Sequence, residues 1–429
     1  MKKSVFNNYL TLPKNYSLIY NSLADSFLVY KLDILGEWDA LSETHPALFD
    51  KLVKGRFFIE DTEDEWETLY AIKRKVDEDL SMYTLIINPT LFCNFYCWYC
   101  YETHDSKSIM PQETLETVEK HIQLVCESPK LKQLDLSFFG GEPLLYYNKT
   151  VLPLMRFAKD ICDARHIALN ITFTTNGYLL NESMMVDFAN FGVSQLQITL
   201  DGYREDHDKT RFPRSGGGSY DHIVGNIKML LHHQIAVLLR INYTKNNLPN
   251  VWQIADTFRD MEDESRSYLK VMFFKVWQEK VIEDSADILS DVMDRFRLLN
   301  INASVQLLNN LREPCYADKR NEAVINYNGD VYKCTARDFK RSGRDGYLSE
   351  DGSIIWENSQ AQRVMAKMRN RLCHQCTIAP LCFGICSQKA IEAPADYCLY
   401  PNEKDKQIII LDRFNAYLLE HEDAILSTT

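Results

Sequence analysis

An α/β fold is predicted for this chain, and three observations predict it. From about Thr84 onward, short apolar runs alternate with helical stretches. Ahead of them stands a segment of about 80 residues with β-rich runs and one helix. Behind them, from about Ile301, the alternation fades and seven cysteines follow. The chain has 429 residues, 45% of them hydrophobic, enough for two or three domains.

The elements are justified in order. Tyr16 to Tyr20 and Phe27 to Lys31 read as short strands, separated by the turn-rich Asn21-Ser22-Leu23-Ala24-Asp25. Thr62 and Glu65 form a capping-box pattern that predicts a helix starting near Thr62, with Glu63 and Asp64 favourable in its first turn. Strand-like runs then fall at Leu85 to Leu91, Leu134 to Phe139, Ile171 to Thr175, Leu196 to Leu200, Val237 to Tyr243 and Leu269 to Val276. Helical stretches such as Pro111 to Val125 and Val251 to Met261 lie between them. This alternation predicts βαβ units and a parallel sheet. Six strands are too few for a closed eight-stranded barrel. Arg214 to Ser219 reads as a flexible loop whose three glycines lack phosphate-loop spacing. Asn328-Gly329-Asp330 predicts a hairpin turn, and Glu403 to about Ile425 a closing helix. Three domains are expected: residues 1–80, 84–300 and 301–429.

A net charge of −12 argues against a general nucleic-acid binder. Twelve cysteines are too few for a disulfide scaffold of this length. No signal peptide is read at the N-terminus. No apolar run of about 18 residues predicts a membrane span, so a reducing cytoplasm is expected. His104, His166, His222, His232 and His233 lack metal-ligand spacing. Cys126 and Cys162 fall in helical patterns and read as small core residues.

The densest chemistry lies in Leu91-Phe92-Cys93-Asn94-Phe95-Tyr96-Cys97-Trp98-Tyr99-Cys100. Three thiolates at C-x3-C-x2-C spacing can hold three irons of a cubic cluster, leaving the fourth open to a small molecule. This stretch resembles the radical S-adenosylmethionine (SAM) family, whose loop holds a [4Fe-4S] cluster with SAM on the open iron. Further motifs match in order. Phe139-Gly140-Gly141-Glu142-Pro143 is similar to the family's GGEP loop, which implies that Gly140, Gly141 and Glu142 hold the SAM amino group. Ile198-Thr199-Leu200-Asp201-Gly202 with His207-Asp208-Lys209-Thr210-Arg211 resembles its S-L-D-G…H-D-x-x-R, with Thr199 in place of serine. The resemblance makes Thr199 and Arg211 candidates for the polar groups of SAM, and Arg211 suits a carboxylate. Tyr99 is expected near the adenine. Thr174-Thr175-Asn176-Gly177 offers weaker candidates for the ribose. The family's partial (β/α)6 barrel agrees with the count of six strands.

The later cysteines are Cys315, Cys334, Cys373, Cys376, Cys382, Cys386 and Cys398. Their spacing is similar to the SPASM pattern, C-x9–15-G-x4-C…C-x2-C-x5-C-x3-C…C. That resemblance implies two auxiliary iron–sulfur clusters, one on Cys315, Cys334 and Cys386, the other on Cys373, Cys376, Cys382 and Cys398. Asn309 stands where relatives that mature sulfatases have an eighth cysteine. By spacing alone, zinc sites remain an alternative.

The resemblance, which runs from about Thr84 to the C-terminus, implies reductive cleavage of SAM and abstraction of a hydrogen from an unactivated carbon. No side-chain base is assigned, since the first step needs none. Two features point to a radical SAM/SPASM peptide maturase acting on a precursor peptide with a leader, forming a thioether or carbon–carbon cross-link. The first 80 residues suit a leader-binding domain of the kind that accepts a leader as an added strand. The Asp that follows the second SPASM cysteine in sulfatase maturases is replaced by Thr335, with Asp338 three residues further on. An anaerobic sulfatase-maturating enzyme is the alternative. A low-potential electron donor, flavodoxin or ferredoxin, is the expected redox partner.

Overall fold

Three β-rich runs at the start of the chain pair because two turns let them fold back. Strands β1 (Asn7–Leu12), β2 (Tyr16–Asn21) and β3 (Ser26–Lys31) form an antiparallel sheet in the order β1-β2-β3. Lys14 and Asn15 take left-handed backbone angles in the first turn, at φ 60° and 62°. In the second, the Asn21 side chain accepts from the backbone N–H groups of Leu23 and Ala24, at 3.1 and 2.9 Å. The computed structural model describes residues 1–31, 40–279, 285–305, 315–357, 363, 370–382, 386–393, 395–396, 398 and 400–420.

Helix α1 (Glu65–Asp77) starts later than its capping-box pattern predicts. Asp64 is the cap, accepting from Trp66 N at 2.9 Å and Glu67 N at 3.1 Å. Glu65 does not reach back to Thr62. It is buried and accepts from Ser4 Oγ at 2.6 Å and Val5 N at 2.8 Å, so a tertiary contact overrides the local motif.

The chain divides into two units. One joins Met1–Glu78 to Leu308–Lys319 and Gln360–Thr429, and the other joins Asp79–Leu307 to Arg320–Ser359. These units cut across the boundaries expected near residues 80 and 301. In the first, Leu10, Leu18 and Tyr20 share a core with Ile378, Leu381 and Ile410. Thr377 O accepts from Ser22 Oγ at 2.5 Å and from Asn8 Nδ2 at 3.2 Å. The helix Glu403–Glu420 is the expected closing helix, and the stretch from 421 to Ile425 lies outside the described residues.

The second unit is built on one sheet. Its strands are β4 (Met82–Asn88), β6 (Gln133–Phe138), β7 (Ala168–Thr175), β8 (Val193–Leu200), β10 (Ala236–Tyr243) and β11 (Leu269–Lys275), the six expected from sequence. Two short strands, β5 (Phe95–Cys97) and β9 (Arg211–Pro213), pair separately. Two parallel strands flank the six: β12 (Asn302–Val305), which sequence patterning missed, beside β11, and β13 (Glu322–Asn326), the β-like run before the predicted hairpin turn, beside β4. Beyond β13 the sheet continues antiparallel with β14 (Asp330–Tyr332) across the predicted hairpin, where Gly329 has φ 81°. The order β12-β11-β10-β8-β7-β6-β4-β13 is open at β12, as in a partial barrel.

One face of this sheet carries Leu136, Phe138, Ile171, Phe173, Leu196, Ile198, Leu239, Ile241, Val271 and Phe273, buried in the main core with the helices Gln112–Cys126, Leu152–Arg165 and Tyr220–His232. Strand alternation puts Ser137, Thr172, Thr174, Gln197, Thr199, Arg240 and Asn242 on the opposite face. That polar face leads to the strands' C-terminal ends. No described helix is long and apolar enough to cross a membrane.

Candidate functional site

The chain leaves β4 at Asn88 and enters the cysteine loop, and the Gly140-Gly141 turn after β6 packs directly on it. Gly141 N donates to Thr90 O at 3.1 Å, and Glu142 N to Phe92 O at 2.9 Å. A Cβ on Gly140, which has φ 97°, would land on Thr90 O, and one on Gly141 would land on Phe92 O. Both glycines are required for backbone-to-backbone approach. The far side of the loop is held by β9. In the β5–β9 pair, Cys97 lies opposite Arg211 and Phe95 opposite Pro213.

Glu142 is fully buried. Its carboxylate accepts from Leu144 N at 3.1 Å, Thr175 Oγ1 at 2.7 Å and Asn176 N at 2.8 Å. Burial pushes its pKa up, and these hydrogen bonds oppose the shift. Thr175 and Asn176, expected near a ribose, therefore tie the end of β7 to the glutamate. The Asn176 amide also donates to Asn94 Oδ1 at 2.8 Å inside the cysteine loop.

Tyr99, Asp201, Arg211 and Asn242 form a second cluster. Tyr99 OH lies 2.7 and 2.8 Å from the two Asp201 oxygens. Arg211 Nε donates to Asp201 Oδ2 at 2.8 Å, and Nη2 to Tyr99 OH at 2.8 Å. Asn242 Nδ2 donates to the same hydroxyl at 3.0 Å. Burial works against charge on Asp201, yet Arg211 and then His207 hold its carboxyl below the usual range. Two sides of the Arg211 guanidinium are thus committed inside the protein. Thr199, in contrast, presents a hydroxyl with no hydrogen-bond partner among the described residues, and its register partner on the next strand is Arg240.

Burial pushes the Cys93 thiol up to about 12 and the Cys97 thiol to about 11, and it raises Cys100 as well. Iron would have to displace those protons. Cys373, Cys376, Cys382 and Cys398 stand near one another in the first unit. Burial, then the charges of Cys382, Cys376 and Cys398, push Cys373 up to about 12. Cys315 and Cys386 belong to the same unit, whereas Cys334 belongs to the other and is buried after β14. Asn309 lies outside the described residues.

Among the described residues, no three His, Cys, Asp or Glu groups stand close enough to share one metal ion. Zinc needs its ligands gathered around a single centre, whereas thiolates on a cubic cluster each bind a different iron and stand farther apart. The donor sets are all sulfur and suit clusters. Among the described residues, Cys93, Cys97 and Cys100 would hold the SAM-binding cluster and the later cysteines the auxiliary ones.

Sequence reasoning missed Arg214, Arg240 and Asn242. Arg214 donates from its backbone N to Asn94 O at 2.8 Å and from Nε to Cys93 O at 2.7 Å. Its guanidinium lies 4.0 Å over the Tyr96 ring. It clamps the cysteine loop from a segment read as flexible. No motif marks it, but Arg-Phe-Pro-Arg is extended in pattern and Pro213 fixes the approach. Arg240 and Asn242 sit at alternate positions on β10, a polar rhythm visible inside an otherwise apolar run.

Comparison with known proteins gives two family matches. Residues 87–258 match the Radical SAM superfamily, and residues 315–377 match SPASM, an iron–sulfur cluster-binding domain. An uncharacterised protein of Synechocystis is 29% identical over 41% of this chain, and that match spans 44% of its own length. The cysteine-type anaerobic sulfatase-maturating enzyme of Clostridium novyi is 26% identical over 71% of this chain and 87% of its own. Among solved structures, anSMEcpe with bound AdoMet superposes with a TM-score of 0.58 at 17% identity, covering 81% of this chain and 98% of the other. SuiB of Streptococcus suis superposes with a TM-score of 0.53 at 14% identity, covering 93% and 98%, and it has also been solved bound to the precursor peptide SuiA.

Proposed function

The chain is a radical SAM enzyme with a SPASM domain, and from that premise we propose that it modifies a ribosomally made precursor peptide by forming a thioether or carbon–carbon cross-link. Bound SAM and its cluster supply a radical that removes a hydrogen atom from a carbon. The residues of this chain position that carbon and keep water and stray donors away. The cysteine loop, clamped by Gly140, Gly141 and Arg214, fixes where the radical arises. Tyr99, Thr199 and the Asp201–Arg211 pair would hold SAM. The later cysteines would hold auxiliary clusters, which would supply electron transfer, and flavodoxin or ferredoxin would be the external donor.

The observation that carries the peptide reading is the N-terminal sheet. Among the described residues, β1 and β3 each pair only with β2, so both present an edge that an extended leader can join. SuiB, of similar fold, binds its own precursor peptide. The sulfatase-maturing reading is favoured by the Clostridium relative. Against it stands Asp338. Its carboxylate accepts from Thr103 N at 2.9 Å and Thr103 Oγ1 at 2.7 Å and pairs with Lys340 at 3.1 Å, which leaves it poorly placed to act as a base.

The test is to look for a short open reading frame beside the gene and, where one is found, to coexpress the two anaerobically and weigh the peptide. A cross-link should lower the peptide mass by two hydrogens. Turnover of a sulfatase-derived peptide bearing the target Cys or Ser, with no change in the neighbouring peptide, would replace this reading with the other.

A further inference from the structure

The paired strands β5 and β9 have two unlike faces. Inward, Cys97 lies opposite Arg211, and Arg211 is committed to Asp201 and Tyr99. Outward, Tyr96 lies opposite Phe212, with ring centroids 6.0 Å apart. Both rings are exposed, at 47% and 38%, and Trp98 beyond them at 57%. Arg214, itself exposed, lies 4.0 Å over the Tyr96 ring, and Lys209 is exposed just ahead of β9. Neither cation pairs with a carboxylate among the described residues. The charge here is opposite to that of the chain. Residues 93–101 contain no Asp, Glu, Lys, Arg or His, and residues 209–219 contain Lys209, Arg211 and Arg214 with no acid, in a chain of net charge −12. Asp208, just before them, is turned to the backbone, accepting from Ser219 N at 2.7 Å and Tyr220 N at 2.9 Å.

Exposed aromatic rings with an arginine among them have the composition of a protein interface. A patch this small fits the weak encounters of electron-transfer proteins. The occupant follows from the alternation of the strands. A substrate carbon on the outer face is separated from Cys97 by the strands themselves, so no hydrogen atom can be taken from it. An electron can cross that layer. We propose that the outer face of the β5–β9 pair, with Tyr96, Trp98, Phe212, Lys209 and Arg214, is the docking surface for a low-potential electron-transfer protein with an acidic face. One electron passes from the partner's reduced centre through the strands to the cluster that Cys93, Cys97 and Cys100 would hold. The partner is left oxidised by one electron, and no bond forms or breaks. The inference rests on the radical SAM reading and gives the external donor of that reading a place.

The test compares a protein donor with a small one. The full chain, reconstituted anaerobically, is given SAM and either dithionite or a protein donor, flavodoxin hydroquinone and reduced ferredoxin in turn, and 5′-deoxyadenosine is measured. In Phe212→Glu the rate with the better protein donor should fall about tenfold, while the dithionite rate and the iron content stay as in the wild type. Lys209→Glu should lower the same rate and flatten its dependence on salt. Val186→Glu puts the same charge on a 61% exposed apolar position of the helix Glu182–Phe191 and should leave both rates unchanged. An equal loss with both kinds of donor in Phe212→Glu would make that residue structural and overturn the proposal. No loss in Phe212→Glu, or an equal loss in Val186→Glu, would overturn it too. So would a wild type that responds to dithionite but to neither protein donor, or a dimer in solution that Phe212→Glu dissociates. A wild type that carries its iron but gives no 5′-deoxyadenosine even with dithionite would instead overturn the radical SAM reading.

Discussion

A methyl group placed on Gly141 has nowhere to go, since the Phe92 carbonyl already fills that space. Gly141→Ala should therefore push the GGEP turn off the cysteine loop. The expected result is a protein that folds yet loses about four irons, those of the SAM-binding cluster, as measured by iron analysis after reconstitution. Cys97→Ala should have the same effect on that cluster and abolish 5′-deoxyadenosine production under dithionite, while the auxiliary clusters remain. Normal production would remove this loop from the mechanism. His207 makes a separate prediction. It is fully buried, accepts from Asp201 N at 3.1 Å and lies 3.0 Å from Ser219 Oγ. Burial pushes its pKa down to about 4 from an ordinary 6.5. The folded state thus prefers the neutral ring, so this contribution is complete above about pH 6.5 and is lost as the pH falls towards 4. The loss should reach about 3 kcal/mol. Denaturant midpoints measured from pH 7 to pH 4 should fall less steeply in His207→Gln. At this scale the cysteines and both motif loops were legible, because their chemistry demands particular residues at particular spacings. Arg214 and Arg240 were not, because their roles arise from strand pairing that brings distant segments together.

At the scale of elements, the edge strands of the N-terminal sheet carry the peptide reading. Val29 on β3 is 41% exposed. Val29→Asp should weaken binding of a labelled leader peptide by about tenfold, because an added strand sets its side chains against those of the edge strand. SAM cleavage without peptide should stay unchanged, since Val29 lies in a different unit from the cysteine loop. Leader affinity should also depend weakly on salt, as main-chain pairing does. Leader binding unaffected by the substitution would move the docking site elsewhere. The six central strands were legible as apolar runs between helices. Asn302–Val305 was missed because four residues are too short a run for their alternation to stand out, whereas Glu322–Asn326 falls on the β-like run before the predicted hairpin turn.

For the whole molecule, three cubic clusters should give about twelve irons per chain. Four irons with two zincs would sink the auxiliary assignment but not the SAM site. Removing Met1 to Glu78 is not a clean excision of a domain. It strips Leu10, Leu18 and Tyr20 from the core that contains Ile378, Leu381 and Ile410, next to Cys376 and Cys382. The truncated chain should lose about four irons, those of the Cys373–Cys398 set, and retain the cluster on the Cys93 loop. Sequence alone gave no sign of this shared core, because it joins segments more than 300 residues apart.

That shared core also governs how the protein comes off the ribosome. Asn8 bonds to Thr377 across 369 positions, and Asp25 pairs with Arg413 across 388. The first strands are made long before their partners. During that interval an apolar hairpin with open edges is exposed, the kind of segment that aggregates or recruits chaperones. The central sheet can fold from neighbouring segments while it waits. The unit that joins these distant segments therefore closes after the central sheet, and its cysteine set is completed only then.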